Sequence, residues 1–205
     1  VANSKYGMWL INRESGVVER ILPKDPKDEK APKYSLLGWP ADGRYLYLEY
    51  SASDRWERGL SRLDLETKNV ADLLKSEQLY GNWQLAKNAP VLCYELSDGD
   101  RPGDFYTADL AFSQPTRLTD LNPWIRNKKF TRSELVQYLD ADGKTLYGIL
   151  YYPVDYEPGK QYPLVCEIYE QFFDNGYRPS MNILANQGYF GFRPSVNLEE
   201  GRPGV

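Results

Sequence analysis

A repeat of about 45 residues organises the first part of the chain. Trp39 in "WPADGRYLYLEYS" and Trp83 in "WQLAKNAPVLCYELS" are 44 positions apart, and Asp64 and Asp109 in a second recurring phrase are 45 apart. Each unit consists of short aromatic and aliphatic runs separated by polar turn sequences. A period of about 40–45 residues with four strands per unit is typical of β-propeller blades. Blades must stack, because one small sheet cannot bury both of its faces.

The number of units predicts only part of a propeller. Two full units are present, and the phrase "WLINRESGVVERI" gives a leading half-unit, so residues 1–130 contain about two and a half blades. Closed propellers have about 4–8 blades. We therefore expect the chain to begin inside a propeller. The charged stretch from Pro23 to Lys33 is predicted to be a solvated loop between blades.

A different pattern follows the Pro- and Asn-rich connector from Leu118 to Phe130. Residues 133–153 are typical of a β-hairpin that turns at Asp140–Gly143. The next strand, Tyr162 to Tyr169, is apolar on both faces, as in a strand inside a parallel sheet. The chain therefore changes from all-β to α/β near residue 130.

A strand–helix–strand crossover completes this second region, residues 131–205. Ser180 is predicted to cap a short helix that continues to Gln187 and is stopped by Gly188. The following strand covers 189–196. Two parallel strands leave a bare hydrophobic edge and too small a core. We expect the chain to end inside this domain, and we expect an isolated segment 131–205 to have poor solubility.

Composition and charge argue against several functions. The 205 residues carry a net charge of −4, the sequence pI is near 5.1, and the basic residues are scattered. Nucleic-acid binding requires a clustered basic face. The longest apolar runs are shorter than the ~20 residues of a membrane helix, so no membrane span is predicted. The N-terminus has no basic head followed by an apolar core. The sequence leaves open a targeting peptide that was removed earlier or lies upstream. It also leaves open a periplasmic, secreted or cytoplasmic location.

Histidine is absent, and the chain has only two cysteines. Any metal site would have to use carboxylates alone, and no metal or other cofactor is predicted. Cys93 and Cys166 each lie in a strand-like apolar run, which predicts buried free thiols, although sequence leaves a disulfide open. The segment "DADG" at 140–143 resembles the start of a calcium loop, but it lacks the remaining ligands. It is predicted to be a hairpin turn.

The candidates for catalytic chemistry reduce to one tyrosine. The nearest approach to the Gly-x-Ser-x-Gly motif is "GLSRL" at 59–63, which has no second glycine and lies within a blade, so Ser61 is predicted to be a strand residue. Without histidine, this chain cannot form a Ser-His-Asp triad. Tyr169 stands at the carboxyl end of the first parallel strand, where α/β folds place functional groups. Its phenol could donate a hydrogen bond to an oxyanion.

The order of these segments resembles the prolyl oligopeptidase family of serine peptidases. The similarity rests on the blade phrase "LSRLDLETKNV", the exit "RLTDLNPWI", the long segment from Ser133 to Tyr169 and the segment "NQGYFGFRPSVNLEEGRPG". It implies β-propeller blades over residues 1–130, followed by the N-terminal portion of an α/β-hydrolase domain over residues 131–205. It also implies that Tyr169 contributes to the oxyanion hole, while the catalytic Ser, Asp and His lie beyond this chain.

The resemblance implies a parent enzyme that hydrolyses short peptides, with cleavage at proline as one option. Its partner would be a peptide substrate, and its oligomeric state is left open. Many family members have Gly-Gly after the tyrosine, whereas Glu170 and Gln171 stand here. This departure supports an alternative, a non-catalytic binding protein of the same ancestry. A third alternative is a self-contained β-rich binding domain, against which the bare parallel edge argues.

Overall fold

The computed structural model describes residues 1–28, 30–52, 55–99, 101–168 and 175–195. Within these ranges the chain forms four β-sheets, one α-helix and one 3-10 helix. The chain divides into two compact units. The first unit consists of Val1–Glu95 and Phe105–Leu118, and the second of Leu96–Asp104 and Thr119–Val205.

Three antiparallel sheets correspond to the repeated units of the sequence. The leading sheet has the order β1-β2-β3, with strands Ala2–Ser4, Gly7–Ile11 and Val18–Pro23. The next has the order β4-β5-β6-β7, with strands Lys33–Gly38, Tyr45–Ser51, Arg58–Asp64 and Val70–Ser76. The third has the order β8-β9-β10-β11, with strands Leu79–Leu85, Val91–Asp98, Arg101–Asp109 and Thr116–Arg117. Four-stranded antiparallel units in sequence order are the expected form of propeller blades.

The recurring polar phrase begins a turn that is capped by its own first side chain in all three sheets. Asp64 ends β6, and its Oδ1 accepts hydrogen bonds from the backbone N–H groups of Glu66 (2.8 Å) and Thr67 (3.3 Å). Asp109 ends β10, and its Oδ1 accepts from the backbone N–H groups of Ala111 (3.0 Å) and Ser113 (2.9 Å). Asn12, directly after β2, accepts from the backbone N–H groups of Glu14 and Ser15. The two residues that recur 45 positions apart, Asp64 and Asp109, are therefore the side chains that cap the turns after β6 and β10.

The first two sheets share a hydrophobic core. Met8 and Ile21 of the leading sheet pack with three leucines of the next sheet, Leu46, Leu48 and Leu63, and each of the five is at most 2% exposed. In β5 the consecutive residues Leu46, Tyr47 and Leu48 are all buried, so both faces of this inner strand are covered. Packing between neighbouring sheets is therefore a main source of stability in the first unit.

The third sheet carries an aromatic cluster centred on Tyr94. Its ring centroid lies 5.0 Å from Trp83, 5.2 Å from Phe112, 5.5 Å from Tyr80 and 5.7 Å from Tyr106. These separations are in the favourable range for aromatic pairs. Burial of the side chain disfavours the phenolate and raises the pKa of Tyr94 to about 12.

This pKa predicts a loss of stability in alkali. An unfolded tyrosine ionises near pH 10, whereas Tyr94 in the fold keeps its proton to about pH 12. The stabilising contribution is therefore complete below about pH 10 and is lost as the pH rises towards 12. Urea unfolding from pH 9 to 12 should show a shallower decline in unfolding free energy for Tyr94→Phe than for the wild type. A Tyr6→Phe control at an exposed position should follow the wild type. Parallel curves for Tyr94→Phe and the wild type would contradict the prediction.

The second unit contains a mixed sheet and the helix. Strands β12 (Ser133–Leu139) and β13 (Thr145–Tyr151) form the predicted hairpin, in which Asp140 Oδ1 accepts from the backbone N–H groups of Asp142 (3.0 Å) and Lys144 (2.7 Å). The hairpin-turn interpretation of "DADG" is confirmed. The sheet continues with β15 (Phe190–Pro194) and ends with β14 (Leu164–Cys166), in the order β12-β13-β15-β14. A 3-10 helix covers Pro123–Asn127 in the connector.

The crossover pattern is confirmed, because β14 and β15 are parallel and the helix α1 (Pro179–Asn186) lies between them in sequence. Two details of the prediction were wrong. Ser180 does not cap the helix: Arg178 is the N-cap residue, without a side-chain cap, because Pro179 fits the first helical position. Gly188, with φ +83°, follows the helix end as predicted.

The second error concerns strand β14 and its cysteine. The strand was predicted to be buried on both faces, yet Leu164 is 55% exposed and Cys166 is also exposed. The reason is its place at the end of the sheet, where β15 is the one strand among the described residues that pairs with it. Cys93 is half-buried, and both cysteines are free thiols, so only the free state of the thiols is confirmed.

Candidate functional site

The carboxyl end of β14 is the candidate site, and two backbone hydrogen bonds fix its position beside β15. The N–H of Phe190 donates to the carbonyl of Pro163 (2.9 Å), and the N–H of Glu167 donates to the carbonyl of Phe192 (2.9 Å). Parallel pairing therefore continues one residue past the strand, to Glu167. In α/β folds, ligands bind at the carboxyl ends of such strands.

An ion pair reinforces this strand end. Arg193 of β15 is 3% exposed, and its Nε lies 3.5 Å from Oε1 of Glu167, whose side chain is 46% exposed. Because a buried guanidinium is costly without compensating charge, Arg193 favours a fixed place for the Glu167 carboxylate. Glu167 is only two positions before Tyr169. The start of the candidate loop is therefore fixed by both backbone and side chain.

Tyr169, Glu170 and Gln171 lie outside the described residues. The assignment of Tyr169 as an oxyanion-hole residue therefore stays a prediction. The described chain stops at Ile168 and resumes at Asn175, so residues 172–174 lie outside it as well.

The chain after this gap is fixed by a hairpin tip in the second unit. Nδ2 of Asn175 donates to Oδ1 of Asp98 (2.8 Å), and the same Asp98 oxygen accepts from the backbone N–H of Gly99 (2.8 Å). Asp98 ends β9, and Gly99 is in the turn that leads to β10. No sequence pattern predicted this contact, because 77 positions separate the two side chains.

Further contacts join Tyr177 to Phe130 and helix α1 to Thr131. The ring of Tyr177 packs on Phe130 with centroids 6.1 Å apart. On the helix, Oδ1 of Asn182 accepts from the backbone N–H of Thr131 (3.1 Å), and the Thr131 hydroxyl donates to the carbonyl of Tyr152 (2.6 Å). Thr131 is fully buried. These hydrogen bonds hold helix α1 beside the start of the β12–β13 hairpin. They therefore also position residues 175–178, which precede the helix.

The described serines do not form a nucleophile motif. Ser61 lies within β6 and donates to Oδ1 of Asp72 (2.9 Å), which confirms its interpretation as a strand residue. Ser195 is 4% exposed, and Tyr138 donates a hydrogen bond to its carbonyl. Desolvation raises the pKa of the Cys166 thiol, which lowers the fraction of reactive thiolate at neutral pH. Among the described residues, Ser61, Ser195 and Cys166 therefore lack the features of an activated nucleophile.

Two further properties of the described residues are relevant to the site, namely clusters of metal-binding side chains and helices able to cross a membrane. There, no three His, Cys, Asp or Glu side chains are grouped closely enough to bind a metal ion. None of the helices in the same ranges has the length and apolar character needed to cross a membrane.

Comparison with known sequences finds peptidases. The chain is 38% identical to dipeptidyl peptidase 8 from Mus musculus over 68 residues, which are 29% of this chain and 8% of the relative. It is 23% identical to the uncharacterized peptidase YuxL from Bacillus subtilis over 155 residues, which are 74% of this chain and 23% of the relative. The chain thus spans less than a quarter of these relatives. No family model matches.

Comparison with solved structures finds the same fold in peptidases. An AtxE2 isopeptidase variant with bound astexin3-dC4 matches with a TM-score of 0.72 at 18% identity, over 92% of this chain and 29% of the other. Porphyromonas gingivalis dipeptidyl peptidase 4 matches with 0.68 at 15% identity, over 91% and 27%. A structure from a study of two prolyl endopeptidases matches with 0.67 at 15% identity, over 94% and 28%.

The sheets and the neighbours together define a class: β-propeller blades followed by the first part of an α/β-hydrolase domain. Proteins of this class among the relatives and neighbours are peptidases. These similarities support the resemblance to the prolyl oligopeptidase family that the segment order predicted.

Proposed function

We propose that this chain is part of a serine peptidase that hydrolyses short peptides and that Tyr169 donates a hydrogen bond to the oxyanion of the reaction. The observation that carries the proposal is the parallel β14–β15 pair, which continues to Glu167 and directs the chain out of the sheet two residues before Tyr169. This is the edge of an α/β sheet at which catalytic groups collect.

The proposal divides the work between this chain and the rest of the native protein. Residues 1–130 supply part of the propeller, and residues 131–205 supply the start of the hydrolase domain. The nucleophilic serine, its histidine base and the aspartate come from outside this chain. The serine oxygen attacks the scissile carbonyl, histidine takes the serine proton and delivers it to the leaving amine, and water then hydrolyses the acyl-enzyme. Tyr169 stabilises the negative oxygen of each tetrahedral intermediate.

Cleavage at proline is the finer part of the proposal. Support comes from the neighbours, since prolyl endopeptidases and a dipeptidyl peptidase 4 share the fold. A matched pair of chromogenic peptides, which differ only by proline or alanine before the scissile bond, tests this part separately. A higher kcat/KM for the proline peptide is expected, and equal values would contradict it.

A fluorophosphonate probe tests the reaction class. The native protein, purified from its source, should have a mass well above the 23.7 kDa of this chain and should gain one probe adduct. Only an activated serine reacts readily with such a probe. As a control, the serine of the labelled peptide is changed to alanine, and the adduct should disappear. A native protein that gains no adduct and cleaves no peptide would contradict the proposal and favour the non-catalytic binding protein, which the Glu170-Gln171 departure supports.

A further inference from the structure

Asn175 and Gly176 form the one Asn-Gly pair in the sequence. In such a pair the backbone nitrogen of the glycine can attack the side-chain carbonyl carbon of the asparagine, because glycine has no Cβ to shield that nitrogen. A bond forms between the Gly176 nitrogen and Cγ of Asn175, the bond from Cγ to Nδ2 breaks, and ammonia leaves with the proton of the attacking nitrogen. Water then opens the cyclic imide to aspartate or isoaspartate. The pair is therefore chemically suited to spontaneous deamidation.

The structure holds the Asn175 side chain in one place. Its Nδ2 donates to Oδ1 of Asp98 (2.8 Å), and the same oxygen accepts from the backbone N–H of Gly99 (2.8 Å). A reversed amide would turn its own oxygen towards the Asp98 carboxylate and be repelled. Hydrogen bonds to a carboxylate are roughly twice as strong as bonds between neutral groups. Because ring closure requires the Asn175 side chain to turn towards Gly176, the bond to Asp98 opposes it.

The surroundings of the Asn175 amide also withhold catalysis of the reaction. A donor to the amide oxygen would help ammonia to leave, yet the buried Oδ1 of Asn175 has no hydrogen-bond partner among the described residues. Gly176 is buried as well, which keeps its nitrogen from the solvent base that would remove the proton. The carboxylate of Asp98 disfavours the negative charge that the attacking nitrogen must acquire. The closed contact is therefore an unreactive arrangement of a reactive pair.

Close approach of the turn between β9 and β10 completes the restraint. A Cβ added to Gly99 would lie 2.7 Å from Oδ1 of Asn175 and 2.4 Å from Oγ of Ser133. Both distances are far below van der Waals contact, so the turn has no room for a side chain at Gly99. The Asn175 amide has correspondingly little room to move on that side.

We propose that Asn175 is a deamidation site and that Asp98 sets its rate. The pair is protected while the contact is closed, and the reaction proceeds when the contact opens locally. The product is a second carboxylate at position 175, beside that of Asp98, and like charges this close repel each other. The contact then does not re-form, so each deamidation event leaves the chain at 175–178 permanently less restrained. This inference does not depend on the proposed function.

Peptide mapping by mass spectrometry tests the site in the full native protein, incubated at mildly alkaline pH. Residues 175–176 should acquire the mass gain of an amide converted to a carboxylate, slowly in the folded protein and faster in urea. Asp98→Ala should raise the rate in the folded protein about tenfold, because a hydrogen bond to a charged acceptor is lost. Asp109→Ala is the matched control, because it removes a turn-capping aspartate from the other end of β10, and it should react like the wild type.

Gly99→Ala is a second test, which stays decisive if Asp98→Ala fails to fold. It should also accelerate the reaction, by collision with the Asn175 amide rather than by loss of the carboxylate. Equal rates in the folded and the urea-unfolded wild type would overturn the inference, because the fold would then give no protection. Folded Asp98→Ala or Gly99→Ala reacting no faster than Asp109→Ala would overturn the role of the contact. No mass gain even in urea would show that the pair is not a deamidation site.

Asn175→Asp reproduces the charge of the product and tests its effect on the chain. Backbone amides of residues 176–178 should exchange hydrogen about tenfold faster than in the wild type, because a local restraint is replaced by repulsion. Asn186→Asp is the control, since this residue lies at the end of α1 and its side chain bonds to backbone carbonyls instead. Unchanged exchange in Asn175→Asp would contradict the predicted loss of the contact.

Discussion

A Tyr169→Phe variant of the native protein is expected to lose about 10²- to 10³-fold in kcat, the usual cost of removing one oxyanion-hole donor. The substitution removes the hydroxyl and keeps the ring, so packing of the side chain changes little. The lost hydrogen bond forms with the charged oxygen of the transition state, and for that reason KM should stay close to the wild-type value. Steady-state hydrolysis of a chromogenic peptide measures both constants.

Tyr177→Phe is the matched control for this experiment. Tyr177 follows the same loop, and its described contact is the ring packing on Phe130, which phenylalanine preserves. Its kcat should be within about twofold of the wild type, as for a residue outside the chemistry. If Tyr169→Phe has the same kcat as Tyr177→Phe, the phenol of Tyr169 does not take part in the reaction.

Leu48→Ala should lower the unfolding free energy by about 2–5 kcal/mol. Leu48 is fully buried and packs with Met8 and Ile21 of the neighbouring sheet, so the substitution leaves a cavity between two sheets. Urea unfolding followed by tryptophan fluorescence gives the value. A loss this large is a substantial part of the stability of a typical domain.

Leu36→Ala provides the control within the same sheet. Leu36 is the β-sheet partner of Leu48 on β4, yet it is 40% exposed. Its truncation should cost about 0.5 kcal/mol, as is usual near the surface. Similar losses for the two variants would mean that contact between the two sheets contributes little to stability.

Much of the fold was predictable because its signals are local. The turn at Asp140–Gly143 and the recurring turns at Asp64 and Asp109 are encoded within a few residues each, and the structure has them where the sequence indicated. Strand–helix–strand order around α1 was predictable for the same reason, since Gly188 marks the helix end within its own turn. The parallel pairing followed from the crossover rule.

The errors and omissions concern properties that depend on distant residues. Exposure of Cys166 depends on which strands lie beside β14, and the apolar sequence of the strand does not contain that information. The bond between Asp98 and Asn175 joins residues 77 positions apart, so no local pattern could predict it. The burial of Arg193 beside Glu167 could likewise not be predicted, because local sequence patterns carry no information about contacts between distant residues. Ser180 was a local error, in which Pro179 was the stronger signal for the helix start.

The self-capped turns have a consequence for how such a chain can change over evolutionary time. Asn12, Asp64 and Asp109 each satisfy the backbone of their own turn, without help from another sheet. A genetic duplication of one unit therefore also copies a turn whose backbone groups are already hydrogen-bonded. A deletion of one unit removes such a turn and leaves no unpaired backbone groups elsewhere. Only the apolar faces between sheets must then be refitted, and hydrophobic packing tolerates such changes if volume is conserved. Duplication or deletion can therefore change the number of blades by one complete blade at a time.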